Sequence, residues 1–82
     1  MHDILIELTV PSLHKTYDVS IPATAQLHVI TALLVRVVQS FSDGRFHSAD
    51  PVLCDSAGGQ VLSPNATPEQ LGLQNGSHLI LI

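Results

Sequence analysis

The sequence predicts an α+β layer pair: one long helix packed on a mixed sheet of four or five strands. Three observations carry this. Two segments near the start alternate apolar and polar residues and are separated by a short turn. The next segment changes to spacings of three and four. The remainder holds short apolar runs punctuated by Gly and Pro. With 82 residues the chain forms a single domain, 1–82, whose one core must do all the stabilising.

The first segment, "DILIELTV", places Ile4, Ile6, Leu8 and Val10 on one face and Leu5, Glu7 and Thr9 on the other. This is the pattern of a half-buried strand. "PSLHK" is a turn, with Pro11 closing the ladder. "TYDVSI" then directs Tyr17, Val19 and Ile21 inward, so the two strands form an antiparallel hairpin. Pro22 ends the hairpin, and Thr24 is the expected N-cap of the helix. In "AQLHVITALLVRVVQSF" the residues Leu27, Ile30, Leu34, Val37, Val38 and Phe41 make one buried stripe. Its Val, Ile and Thr content gives only fair helix propensity, so this helix needs a sheet to pack on. Gly44 is the expected left-handed residue beyond the helix end.

After the loop "FHSADP", "VLCD" is a short strand, "SAGG" a turn and "QVL" a further short strand. "SPNATPEQ" is loop with one helical turn after Pro68. Asn75-Gly76 turns the chain into "HLILI", with Gly76 at positive φ. This last strand is nearly all aliphatic, as a central strand is. Its expected place is beside the first strand and parallel to it.

Composition excludes several classes of function. Three basic residues against seven acidic ones give a net charge of −4. Lys15, Arg36 and Arg45 form no basic footprint along the sequence, which argues against nucleic acid and against anionic membrane surfaces. "VITALLV" stops at Arg36, far short of the roughly 20 apolar residues that span a bilayer, so direct membrane insertion is not expected. The acidic start "MHDILIELTV" is unlike a secretory signal. With one cysteine, Cys54, an internal disulfide is impossible, and the chain reads as cytoplasmic.

No chemistry-bearing constellation is found. Cys54 sits in a short strand without an acidic or basic helper. His2, His14, His28, His47 and His78 are scattered and lack zinc-ligand spacing. Asp43, Asp50, Asp55 and Glu69 lie in loops without the paired geometry of acid–base catalysis. The chain therefore reads as a non-enzyme without cofactor or metal.

The hairpin, the helix start "TAQLHVITALL", the turn and strand "GGQVL" and the ending "PEQLGLQNGSHLILI" together resemble ubiquitin-like β-grasp proteins. The most specific piece is Leu-Gly-Leu-x-Asn-Gly-x-x-Leu, Leu71 to Leu79. Within that superfamily the chain is most similar to the small bacterial YukD/EsaB proteins of type VII (WXG100) secretion systems. Related domains are fused to membrane components of those systems. The resemblance implies an accessory or regulatory protein–protein interaction module, with a cytoplasmic component of the secretion machine as partner.

It also frames one negative expectation. Ubiquitin-type modifiers and sulfur carriers act through a C-terminal Gly-Gly, whereas this sequence reaches Ile82 in a strand, and Gly58-Gly59 lie in a mid-chain turn. A non-conjugating protein is expected. The alternatives are a carrier whose tail lies outside this sequence, and a structural homodimer. For the binding surface, Leu5, Ile80 and Ile82 are expected to point outward from adjacent strands, joined by either Leu53 or Cys54 from the third. A contiguous aliphatic patch of this kind on the open sheet face is a docking site in outline. It is also the face that ubiquitin-like proteins generally use for recognition.

Overall fold

A computed structural model describes residues 3–82. Strand β1, Asp3–Val10, and strand β2, Lys15–Pro22, form the antiparallel hairpin, joined by a 3-10 turn at Pro11–Leu13. Helix α1 follows at Leu27–Phe41, then β3 at Leu53–Asp55 and β4 at His78–Leu81. Sheet order is β2-β1-β4-β3. The central pair β1–β4 is parallel, with Leu8 opposite Leu79, and β3 runs antiparallel to β4. This is the ubiquitin-like β-grasp arrangement that the sequence predicts, with four strands among the described residues. "QVL" does not become a fifth strand: Val61 makes an isolated bridge to Cys54.

The core lies between α1 and one face of the sheet. Ile6, Leu8 and Val10 of β1, Val19 and Ile21 of β2, and Leu79 and Leu81 of β4 meet Leu27, Ile30, Leu34 and Val38 of the helix. Phe46, from the loop after α1, is buried with them.

Three helix details differ from expectation. The N-cap position is Gln26, and Thr24 makes no cap. The first helical amides are satisfied from across the molecule instead: Leu27 N–H donates to the Ala66 carbonyl at 2.9 Å and His28 N–H to the Pro64 carbonyl at 3.0 Å. Tertiary acceptors thus replace the local hydroxyl. Phe41 leaves the buried stripe. It lies at the last helical position, 61% exposed, with its ring 5.4 Å from that of Tyr17. Val37 is only half-buried.

Gly44 does take the left-handed conformation, φ +76°, and its amide reaches back to the Gln39 carbonyl at 2.7 Å. The loop before β4 holds its own turn. Thr67 and Gln70 exchange side-chain-to-amide hydrogen bonds of 3.0 and 3.1 Å, a reciprocal capping box, and Leu71 N–H closes the turn on the Thr67 carbonyl. Gly76 sits at φ +90°, as the Asn-Gly turn requires.

Candidate functional site: the open face of the sheet

Strand register determines which side chains share the face that α1 does not cover. Residues directly opposite one another in a ladder point to the same side. Thr16, Thr9, Ile80, Cys54 and Val61 therefore form one row across the outer face. Asp18, Glu7 and His78 form the next row, and Ser20 with Leu5 the one beyond. On the other flank of Ile80, Ile82 exchanges backbone hydrogen bonds of 3.0 and 3.1 Å with Val52, extending the face.

The expected residues fall into place unequally. Ile82 is 51% exposed and Ile80 is half-buried beside it. Leu5 is equally exposed but is not contiguous with them. Between Leu5 and Ile80 lies the row of Glu7 and His78, whose side chains pair at 2.5 Å. The single aliphatic patch expected from sequence is thus divided by the Glu7–His78 pair, because Glu7 follows Leu5 and His78 precedes Ile80 at the two-residue spacing that keeps side chains on one face of a strand. Asn75 holds the Leu5 end: its Oδ1 accepts from the Leu5 amide at 2.8 Å while Gly76 N–H donates to the Leu5 carbonyl at 2.8 Å.

The third strand also departs from expectation. Leu53 is opposite Leu81, faces α1 and belongs to the core, so it has no part in the outer surface. Cys54 has the outward phase, opposite Ile80, yet is only 4% exposed. A small side chain set in register between Ile80 and Val61 contributes a floor rather than an accessible contact. The accessible residue that sequence reasoning missed is Val61, 61% exposed. Its signal was its place in "QVL", but the phase of that segment depends on the length of the preceding turn, where Asp55 N–H meets the Gln60 carbonyl and Leu62 N–H the Leu53 carbonyl.

The remaining candidates stay apart. Among the described residues no group of three or more His, Cys, Asp or Glu is placed to hold a metal ion. His14 lies in the hairpin turn at φ 53°, and His28 bonds the Gln26 side chain at 2.8 Å. His47 is exposed in a loop. His2 lies outside the described residues. Asp55 accepts from the Ala57 amide at 3.0 Å in its turn, and Gly59 there has φ +68°, the turn role expected of it. No helix among the described residues is long and apolar enough to cross a membrane.

Comparison with curated proteins finds no match. Among solved structures the chain is similar to the EccD5 ubiquitin-like domain from Mycobacterium xenopi, with a TM-score of 0.89 and 18% identity over 100% of this chain and 94% of that one. It is similar to the ubiquitin-like domain of the Mycobacterium tuberculosis type VII secretion protein ECCD1, with a TM-score of 0.81 and 16% identity, covering 100% and 99%. It also matches a chain of the MycP5-free ESX-5 inner membrane complex, with a TM-score of 0.88 and 17% identity, covering 100% of this chain but only 21% of that one. At these identities the structures establish the fold. The family model described as "WXG100 protein secretion system (Wss), protein YukD" matches residues 5–81, nearly the whole sequence. The chain therefore belongs to the YukD family of ubiquitin-like proteins associated with the WXG100 protein secretion system.

Proposed function

We propose that this protein is a non-conjugating, non-enzymatic interaction module that works on the cytoplasmic side of a type VII secretion machine, docking a protein component of that machine on the open face of its sheet. The observation that supports this reading most directly is the aliphatic end of that face. By register, Ile80, Ile82 and Val61, with Val52 beside them and Cys54 beneath, share one end of that face, and no second layer among the described residues packs on it. Exposed apolar clusters of this kind are interaction surfaces more often than scatter. The secretion-machine setting is drawn from family membership and from the ESX-5 complex, which contains a domain of the same fold.

Leu5, beyond the Glu7–His78 pair, is a peripheral contact in this reading. The test is affinity capture from native lysate with the wild-type chain and with a Val61→Asp/Ile82→Asp variant. Both sites are more than half exposed, so the variant should fold normally. A secretion-machine component enriched by the wild type and lost with the variant is the expected result. Equal capture by both would overturn the site.

A further inference from the structure

A second surface lies on the other side of the molecule, where β2 forms an edge of the sheet. In β1 the backbone groups of Leu5 and Glu7 are used toward β4: Gly76 N–H meets the Leu5 carbonyl, and Glu7 N–H meets the Ser77 carbonyl. The even-numbered residues of β1 consequently serve β2, through Ile21, Val19, Tyr17 and Lys15. That leaves the backbone groups of Thr16, Asp18 and Ser20 pointing away from the sheet, the pairing groups of an open edge.

The helix side of this edge is apolar. Val19, Ile21, Ile30, Leu33, Leu34 and Val37 line a groove of about 350 Å³ between β2 and α1. Val29, Leu33, Val37 and Phe41 recur every four residues along the helix beside it, with Val37 partly packed on the core and the other three exposed. Leu33 is 47% exposed.

Charge selects the occupant. Asp18 stands on the outer face directly opposite Glu7, an acidic pair across the hairpin. A second copy pairing on this edge in antiparallel fashion would bring Asp18 opposite or diagonal to its own counterpart in every register that keeps three outward residues engaged, between chains of net charge −4. A basic residue there is attracted instead. On the helix side, beyond Tyr17, the edge ends at a hollow lined by Lys15, Arg45, His47, Ser42 and Phe41, in which Arg45 Nε donates to the Ser42 carbonyl at 3.0 Å. Two of the chain's three Lys and Arg residues are therefore gathered at one end of the edge.

We propose that β2 accepts an extended peptide strand from a protein partner, running antiparallel to it. The segment places two aliphatic side chains over Val19 and Ile21, a basic one beside Asp18 and an acidic one at Lys15 and Arg45. Main-chain pairing supplies the attachment, and the alternate side chains supply the selectivity. This site is independent of the outer-face reading.

The probe is a synthetic peptide, acetyl-Val-Ser-Ile-Lys-Val-Ser-Glu-amide, titrated into the isotope-labelled chain. Amide shifts confined to Lys15–Ile21, to Leu33–Val37 and to Arg45 are expected, with binding weakened about fivefold by Asp18→Asn. Exchanging the peptide's Lys for Glu should weaken binding about tenfold. Leu33→Asp, or N-methylation of the peptide's paired amides, should abolish it. If Leu33→Asp disturbs the fold, Asp18→Lys, at an exposed position, decides the question by reversing the preference between the Lys and Glu peptides. Shifts on β3 or at Ile80 and Ile82, indifference to the peptide's charge, absence of binding, or self-association of the free chain through β2 would each overturn the proposal.

Discussion

The central strands β1 and β4 present two faces built from alternate residues of the same few positions, and the faces behave in opposite ways. Toward the helix, Leu8 meets Leu79 in register and both are buried to 1% exposure or less. Away from it, the flanking pairs are Glu7 with His78 and Thr9 with Ile80. Both strands look strongly aliphatic in sequence, yet only the helix-facing half is enclosed in a core. Aliphatic content therefore records that a strand is central, while parity and the covering layer record what each residue does.

The largest effect separates the two faces directly. Leu79→Ala removes a fully buried side chain beneath α1 and should cost about 2–5 kcal/mol, a large share of the roughly 4–12 kcal/mol available to a domain of this size. Ile82→Ala, at a half-exposed position on the opposite face, should change stability by less than about 0.5 kcal/mol. Urea denaturation of the two variants side by side checks this. Comparable losses would mean that the outer face is covered by structure and is not a free surface.

Cys54 sharpens the comparison, because it lies on the open face and is nonetheless enclosed. Its thiol should react with Ellman's reagent only slowly in the native chain and promptly in denaturant, since a thiol without access is inert. Cys54→Ser, which places a hydroxyl in the same confined position, should cost about 1–2 kcal/mol. Rapid native labelling would show that Ile80 and Val61 do not close over it, and the face would then be deeper and more reactive than described.

Much of this architecture was legible from local pattern. The hairpin, the helix, the parallel placement of β4 and the positive φ of Gly44 and Gly76 all follow from periodicity and turn chemistry. The misread features depend on contacts between distant segments. Thr24 looked like a cap because the carbonyls of Pro64 and Ala66, which serve the helix start, are about forty residues away in sequence. Leu53 and Cys54 could not be phased because the register of β3 on β4, strands far apart in sequence, sets which one meets Ile80. The contiguity of Leu5 with Ile80 failed for a related reason: it depended on the exact register of two strands seventy residues apart, which places Glu7 opposite His78. The additional helical stripe through Val29 and Leu33 was present in the sequence as a four-residue recurrence, masked by the larger stripe that feeds the core.

The smallest energetic effect concerns the pair that divides the open face. Glu7 and His78 are both substantially solvated, so their contact is weak and Glu7→Gln should cost no more than about 0.5 kcal/mol. The position matters more for what it separates. Glu7→Leu would join Leu5 to Ile80 through one apolar band, replacing a charge with a side chain that a strand accepts readily. Stability should again move by less than about 0.5 kcal/mol, yet sedimentation velocity should reveal concentration-dependent association absent from the parent chain. Association of the parent to the same degree would show that the Glu7–His78 pair does not partition the face. A dispersed Glu7→Leu variant would show that Leu5 and Ile80 are too far apart, at roughly 13 Å along the strand, for one added leucine to connect them.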